Sequence, residues 1–249
     1  MIISTKAIVL KTILYGDSSL ISRVFTEKNG KISVMAKGAW RPKNTTGPML
    51  EPMNHISIQY YHKKSRQIQV LKDAHLVQQF FNIRSDLNKI ILGQAIVEIL
   101  DKSTPEENPL PVLYRLGWRI LERMNASNVN YWVLFSFYLY QLSLRLGFMP
   151  NLKTCYKCQS LLNKALIDDK AGELICPNCN LYGKLFLNDN SLNFLKNLEN
   201  MHLDEIENQM YSSLEILNAV NFLEVFTYFH LEGMDRVRSI SMMKKLIKQ

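Results

Sequence analysis

All four cysteines of this 249-residue chain lie in one short segment, TCYKCQSLLNKALIDDKAGELICPNCN. They form two pairs, Cys155 with Cys158 and Cys176 with Cys179, and two residues separate the members of each pair. Two such pairs are typical of a tetrahedral zinc site, because a two-residue spacer lets both thiolates of one pair reach the same ion. The sequence therefore predicts that one Zn²⁺ binds to all four cysteines.

Competing interpretations of this cysteine spacing are weaker. Four unrelated core cysteines would not be expected to fall into two matched pairs. Two disulfides would need an oxidising compartment, and a redox dithiol usually needs only one Cys-x-x-Cys. Four thiolates also fill the coordination sphere of zinc and leave no position for a water molecule, so we predict a structural zinc rather than a catalytic one.

Motifs of catalysis and of secretion are absent from the sequence. We find no Walker A loop, no His-Glu-x-x-His, no Gly-x-Ser-x-Gly and no paired-carboxylate motif. The first residues, MIISTKAIVLK, lack the basic and apolar regions of a signal peptide, and the most apolar run, residues 131–140, is too short to span a bilayer. We therefore expect a non-enzymatic protein that is cytoplasmic, associated with the nucleoid and without a membrane partner.

The positive charge of the chain is concentrated in its first third. The formal net charge is +8, yet residues 1–85 alone contain 13 Lys or Arg against 4 Asp or Glu. Residues 185–235 are strongly acidic, and residues 236–249 hold five basic residues and no acidic one. A basic excess suits nucleic acid, an anionic membrane surface or an acidic partner, and its uneven placement favours two functional parts.

The elements that must position these residues change type near residue 79. Before it, five short segments alternate between apolar and polar residues, namely KAIVLKT, LISRVFTE, KISVMAK, HISIQYY and RQIQVLK. They predict a small barrel or sandwich, with a hairpin turn at Asn29-Gly30. After residue 79, apolar residues recur with the period of about 3.6 residues that is typical of helices. Ser85 is placed to cap the first predicted helix. A short hairpin turning at 170–172 is expected between the cysteine pairs.

Two clusters in the basic first part combine cations with aromatic rings. Cations hold phosphates and rings stack on unpaired bases, so such clusters favour single-stranded nucleic acid. The candidate DNA-binding residues comprise these two clusters and two basic residues on predicted strands, Arg23 and Lys31. The members of the clusters are Lys37, Trp40, Arg41 and Lys43, and Lys63, Lys64 and Arg66. In the alternative interpretation these cations are simply solvated. Tyr60 shares a strand face with Ile56 and Ile58, and we predict that it belongs to the core.

One predicted helix carries a line of arginines. Arg115, Arg119 and Arg123 recur every four residues and therefore lie along one face. They could bind phosphates or an acidic peptide, with Leu116, Trp118 and Ile120 as a possible apolar groove. The alternative is a solvated helix face whose charge is partly offset by Glu122.

The order of these motifs resembles one known family. LYGDSSLISRVFTEKNGKISVMAKGAWRPK, the strand pair ending LKDAHL, and helices interrupted by CYKC and CPNC are similar to the bacterial recombination and repair mediators of the RecO family. The resemblance covers nearly the whole chain. In this family a glycine often follows the second cysteine of each pair, where Gln159 and Asn180 stand here.

The resemblance implies a fold and a function. The expected fold is α+β and multidomain: an N-terminal OB-fold β-barrel at residues 1–78, then an α-helical domain at 79–249 with the inserted four-cysteine zinc module at 151–184. The resemblance implies DNA repair and recombination: binding of single- and double-stranded DNA, annealing of complementary strands, and partnership with RecR. It also implies binding of the acidic C-terminal tail of single-strand-binding protein, which we assign to the arginine line, and indirect action on RecA.

Two functions of different class remain open. The favoured one is a DNA-binding mediator of recombinational repair. The alternative is a zinc-containing RNA-binding or adaptor protein of transcription or translation. The two differ in a simple property, since only an RNA binder can use 2′-hydroxyl contacts and so prefer RNA over DNA of equal length.

Overall fold

The structure, a computed structural model, describes residues 1–127, 129–149, 151–168, 170–179, 186–208 and 211–231. The chain divides into two compact units, one containing Met1–Ser127 and the other Asn128–Asp235. The expected domain boundary between residues 78 and 79 stays a prediction. The basic stretch at 236–249 and Asn180 lie outside the described residues.

The first unit is built on a closed five-stranded barrel, which is one of the two folds predicted from the alternating segments and confirms the barrel that the family resemblance implies. The strands are β1 (Ile2–Tyr15), β2 (Ser19–Thr26), β3 (Gly30–Ala36), β4 (His55–Tyr61) and β5 (Ile68–Gln78). Their order around the barrel is β1-β2-β3-β5-β4, in which only the β3–β5 pair is parallel. A short helix, α1 (Thr46–Met49), lies in the connection between β3 and β4.

Alternation along the strands fills the barrel interior. Most inward positions are apolar, among them Val9, Val24, Val34 and Ile58, and these four are fully buried. Tyr60 is 1% exposed and belongs to this core, as predicted from the face that it shares with two isoleucines. The apolar side chains that alternate with polar ones therefore form the core of the closed barrel.

The β2–β3 hairpin turns at the predicted Asn29-Gly30 pair. Gly30 has φ +69°, a left-handed conformation that residues with a side chain rarely adopt. A Cβ atom at this position would also lie 2.2 Å from the carbonyl oxygen of Asn108. Glycine is thus required both by the turn and by the close approach of a second backbone.

Three helices complete the first unit: α2 (Phe81–Arg84), α3 (Leu87–Ser103) and α4 (Pro111–Met124). The predicted cap of α3 at Ser85 is wrong by one residue, since the Asp86 carboxylate accepts the N–H groups of Asn88 and Lys89. Helices α3 and α4 cover part of the outer surface of the barrel. Ile8 and Phe25, a cross-strand pair on β1 and β2 with outward side chains, are fully buried in consequence.

A buried histidine joins the barrel to α4. His55 on β4 is 4% exposed; its Nε2 lies 2.7 Å from the hydroxyl of Tyr114, and its ring stacks on Trp118 with centroids 5.4 Å apart. Its Nδ1 is buried without a hydrogen-bond partner. Burial, together with the charge of Lys6, lowers the pKa of His55 from 6.5 to about 4. Folding therefore selects the neutral imidazole.

This pKa shift predicts an acid-sensitive first unit. Because the pKa is lower in the folded chain than in the unfolded one, the contribution of His55 is complete above pH 6.5 and is lost as the pH falls. Protonation should remove about 3 kcal/mol of unfolding free energy by pH 4. In His55→Phe, which keeps a ring beside Trp118, this part of the loss should vanish, whereas Tyr114→Phe should retain it. Urea unfolding at pH 7 and pH 4 measures both, and equal losses in the wild type and His55→Phe would contradict the prediction.

The second unit is helical. Its main helices are α5 (Tyr131–Leu146), α6 (Asp189–Asn200) and α7 (Ser213–His230). All residues of α5 from Val133 to Ser143 are buried, so the most apolar run of the sequence is a central core helix. It ends at the predicted Gly147, whose φ is +87°. None of the helices in the described part of the chain combines the length and the apolar character that crossing a membrane requires.

Candidate functional site

The four cysteines come together in a small module of the second unit. Strands β6 (Ala165–Ile167) and β7 (Leu174–Ile175) form the expected hairpin between the cysteine pairs, and β8 (Phe186–Leu187) pairs with β6. All four sulfur atoms lie within 4.8 Å of one another. Sequence positions more than 20 residues apart are thus gathered at one point, as the spacing predicted.

The donor set fits a metal ion of the zinc type. Zn–S bonds of about 2.3 Å place the sulfurs of a tetrahedron about 3.8 Å apart, and the Sγ atoms of Cys158 and Cys176 are 3.6 Å apart. The Cys176 N–H donates to Cys155 Sγ at 3.3 Å. Hydrogen bonds from Ser160 are the main cause that lowers the pKa of Cys158 to about 6, which favours the thiolate form. Four sulfurs in this arrangement can hold one soft divalent ion and leave no substrate position.

The turn that carries the first cysteine pair, Cys155 and Cys158, is here called the first knuckle. One of its residues has the left-handed conformation that glycine usually adopts. Gln159 follows the second cysteine and has φ +60°. Its N–H donates to the carbonyl oxygen of Cys155 at 2.9 Å, which closes the knuckle. Its side-chain amide donates to the Tyr156 carbonyl oxygen at 3.2 Å. The knuckle therefore forms without glycine, at the cost of a left-handed non-glycine residue.

The hairpin of the cysteine module is anchored to helix α7 within the second unit. The turn at Gly172 has φ +70°, and a Cβ atom there would lie 2.6 Å from the Phe229 ring. Next to it, a Glu173 carboxylate oxygen lies 3.8 Å from His230 Nε2. The His230 ring stacks on Phe148 with centroids 5.2 Å apart. The cysteine module is thus part of the packing of this unit.

Two exposed basic segments carry most of the predicted DNA-binding residues. The basic loop follows β3 and contains Lys37, Trp40, Arg41 and Lys43, all of them exposed. Trp40 is 61% exposed although its backbone N–H is held by the Ser18 carbonyl oxygen at 2.8 Å. An indole that is exposed on an ordered backbone is available for stacking.

The second segment, the basic turn, connects β4 to β5 and contains Lys63, Lys64 and Arg66. It is organised by Gln69, which is 1% exposed. The Gln69 amide accepts the Lys63 N–H at 2.9 Å and donates to the carbonyl oxygens of Lys63 and Arg66 at 3.2 and 2.7 Å. Sequence reasoning missed this positioning residue, because the alternation in RQIQVLK places Gln69 on the polar side of the strand, whereas the structure buries Gln69 and leaves Ile68 38% exposed.

Both basic segments border an open face of the barrel. Strand register links one row of outward apolar side chains, one from each of the five strands, here called the open-face row: Ile13, Ile21, Met35, Val70 and Tyr61. Ile13 and Tyr61 are 49% and 45% exposed, and the other three are partly exposed. The basic loop begins two residues after Met35, and the basic turn connects Tyr61 to the strand of Val70.

Lys31 and Arg23 have partners inside the fold. Lys31 is 6% exposed, and its ammonium donates to the Asp101 backbone oxygen and lies 3.3 Å from the Asp101 carboxylate. Arg23 lies 3.1 Å from the same carboxylate and 3.9 Å from Glu106. Lys31, one of the candidate DNA-binding residues, is therefore buried and paired within the fold, because α3 brings Asp101 to this end of β3. Arg23 remains partly exposed at the edge of the open face.

The arginine line lies on α4 as predicted, but its surroundings differ from the expected groove. Arg115 is exposed, and Arg119 pairs with Glu122 at 2.8 Å and lies 5.5 Å from the centre of the Trp118 ring. Arg123 is partly buried. Leu116 and Ile120 are buried in the core, and Trp118 stacks on His55. An apolar contact on the arginine side must come from elsewhere, and Val112, 58% exposed, lies one turn before Arg115.

A groove opens beside the basic loop. Its volume is about 480 Å³, and its lining includes apolar residues of β1 and β2, the indole of Trp40, the guanidinium of Arg41 and the α1 segment. Gly47 lies below it without a side chain, and a Cβ atom there would be 2.4 Å from the Ala39 carbonyl oxygen. Because Gly47 has no side chain, the α1 segment can pack closely against the backbone of the basic loop at Ala39.

Comparisons with known proteins agree with this architecture. A family model described as recombination protein O N terminal matches residues 1–80, and one described as recombination protein O C terminal matches residues 84–239. The chain is 41% identical over 149 residues to the DNA repair protein RecO of Salinibacter ruber, over 60% of this chain and 57% of that protein. That match spans less than two thirds of the relative.

Two other relatives match over nearly their whole length. The DNA repair protein RecO of Caldanaerobacter subterraneus is 30% identical over 92% of this chain and 93% of its own. The protein of the same name from Chloroherpeton thalassium is 26% identical over 99% of this chain and 100% of its own. With two family models matching 1–80 and 84–239, the chain belongs to the RecO family of DNA repair proteins.

Proposed function

We propose that this protein is a non-enzymatic, DNA-binding mediator of recombinational repair. In this proposal it binds single- and double-stranded DNA, promotes annealing of complementary strands and, with RecR, helps to load the RecA recombinase onto strands covered by single-strand-binding protein. Relatives named DNA repair protein RecO support the general role. The finer steps rest on the geometry of the barrel and on the family resemblance.

The observation that carries the proposal is the open face with its two basic borders. In barrels of the OB type, the face of strands 2 and 3 and the turns beside it commonly bind oligonucleotides. Here Ile21 and Met35 of the open-face row lie on β2 and β3, and the basic loop and the basic turn follow the row residues Met35 and Tyr61 along the chain. Six exposed cations on these two segments suit the phosphates, and the exposed rings of Trp40 and Tyr61 suit unpaired bases.

Annealing follows from the same chemistry. Two complementary strands repel each other through their phosphates, and lysines and arginines that neutralise phosphates reduce this repulsion and release counterions. Contacts to the backbone carry no sequence information, so strands of any sequence can be held. The protein thus needs no catalytic group for this activity, and the zinc that we assign to the four cysteines serves the fold.

A salt series of binding tests the proposal. Fluorescence anisotropy with single-stranded DNA, duplex DNA and RNA of equal length should give affinities that fall linearly on a logarithmic salt axis, with tight binding to both DNA forms. A clear preference for RNA would instead favour the alternative, an RNA-binding or adaptor protein of transcription or translation, because only RNA offers 2′-hydroxyl groups. Absence of salt-dependent DNA binding would remove the proposed function.

The proposed partner surface consists of the α4 arginines and of Val112, which takes the place of the apolar groove expected from the sequence. Arg115 and Val112 are exposed on the same side of the helix, and a carboxylate-rich peptide with an apolar end needs a cation beside an apolar contact. We assign the acidic tail of single-strand-binding protein to this side of α4. Calorimetry of that tail peptide with the wild type and with Val112→Ser and Arg115→Glu tests the assignment, and unchanged affinity in both variants would move the tail to another surface.

A further inference from the structure

We propose that the groove beside the basic loop holds an unpaired nucleobase of the bound single strand, with the base stacked against Trp40. The proposal rests on the DNA-binding function proposed above and deepens it. The occupant of the groove is a planar aromatic base. The groove would thus bind a base, whereas the cations beside the open face bind phosphates.

The lining of the groove suits a flat, mostly apolar ring. Ile13 and Leu14 of β1 and the buried Leu20 and Leu50 contribute apolar surface to the lining, and Trp40, 61% exposed, also lines it. The volume of about 480 Å³ falls within the roughly 300 to 1,000 Å³ of small-molecule sites. Base stacking on an indole tolerates every base, because each base has a π-face.

Charge around the groove favours nucleic acid over an apolar protein segment. Lys37, Arg41 and Lys43 belong to the same loop as Trp40, so a base in the groove would have its phosphates beside cations. Glu51 is the acidic residue of the lining, and its carboxylate lies 3.3 Å from the Arg84 guanidinium. An anionic backbone is thus attracted to the rim, while the carboxylate of the lining is neutralised by an internal partner.

The loop that forms the rim is ordered by its own backbone. The Trp40 N–H is held by Ser18, the Arg41 N–H donates to the Gly38 carbonyl oxygen at 3.1 Å, and the Asn44 N–H donates to the Arg41 carbonyl oxygen at 3.1 Å. A groove that exists before binding spares the ligand the entropy of ordering it. Trp40 therefore remains exposed on a fixed backbone, which is the arrangement that a stacking platform needs.

An abasic oligonucleotide separates base contacts from phosphate contacts. A single strand and an abasic strand of equal length carry the same phosphates, and only the first offers bases. The wild type should bind the normal strand more tightly by roughly 5- to 150-fold, the range for one stacked base. In Trp40→Ala and Leu14→Ala this difference should shrink sharply, with little change toward the abasic strand, whereas Trp40→Phe should keep part of it.

Phe81→Ala is the matched control, because Phe81 is a 68% exposed aromatic residue on α2, outside the groove. Circular dichroism of each variant confirms folding. Equal binding of the two strands by the wild type would overturn the nucleobase site and leave the DNA-binding function intact. A difference that persists in both groove variants would place the bases elsewhere, and this also overturns the proposal. Failure to bind either strand would remove the proposed function itself.

Discussion

Replacing Cys176 by serine should release the metal and strongly destabilise the second unit. The protein purified under reducing conditions should contain one zinc ion per chain, held by all four sulfurs of the cluster. Cys176 is 8% exposed, and its N–H donates to Cys155 Sγ, so the serine would leave three thiolates around an ion that needs four ligands. Because structural zinc contributes folding free energy directly, we expect a loss of about 3 kcal/mol or more.

Metal content by elemental analysis and thermal unfolding measure this effect. Gln159→Gly is the matched control, since it changes the same knuckle without removing a sulfur and relieves a residue with φ +60°. This control should keep its zinc and its stability. DNA binding by Cys176→Ser at low temperature should remain close to that of the wild type, because the proposed DNA contacts lie in the barrel. A wild-type protein that carries no metal and has four reactive thiols would contradict the zinc assignment.

Reversing the charge of the basic loop should weaken DNA binding for all sequences. In the triple variant Lys37→Glu, Arg41→Glu and Lys43→Glu, three exposed cations become anions. Each lost phosphate contact removes about 0.7 to 0.9 from the slope of log affinity against log salt, so the slope should fall by roughly two, with an affinity loss of about 100-fold at low salt. Anisotropy titrations at several salt concentrations give both quantities.

A control triple variant separates the loop from the total charge. Lys153→Glu, Lys164→Glu and Lys170→Glu change the net charge by the same amount at three exposed positions of the cysteine module. This variant should keep most of the wild-type slope, since those lysines lie far from the basic loop in the chain and belong to the second unit. Equal losses in the two triple variants would mean that total charge governs binding, and an unchanged slope in the first would place the DNA surface elsewhere.

Much of this architecture is visible in the sequence because its signals are local. Alternating side chains mark the strands, the change of period marks the helices, and the paired spacing of Cys155, Cys158, Cys176 and Cys179 marks the four-cysteine cluster. Each pattern depends on neighbours only a few residues apart, so backbone geometry alone links it to a structure. The prediction of a core position for Tyr60 was confirmed for the same reason.

The site was harder to predict, because its properties depend on partners far apart in the chain. The alternation in β3 predicts that Lys31 lies on a solvent-exposed face. In the structure, α3 places Asp101, 70 residues further along the chain, beside Lys31. The same helices bury His55 against Tyr114, which lies 59 residues further on, and Leu116 and Ile120 in the core. A side chain on the outer face of a barrel is solvated or buried according to what packs over it, and strand periodicity carries no information on that.

The sequence by itself determined the five strands, the helices, the pairing of the four cysteines and the position of the basic excess, since these follow from composition and from short-range periodicity. Tertiary structure alone decided which cations remain on the surface, how Gln69 shapes the basic turn, and which apolar side chains form the open-face row and the groove. The physical reason is that strand register and helix packing bring distant residues together, and burial and pairing then decide whether a charged or aromatic side chain stabilises the fold or stays available to a ligand.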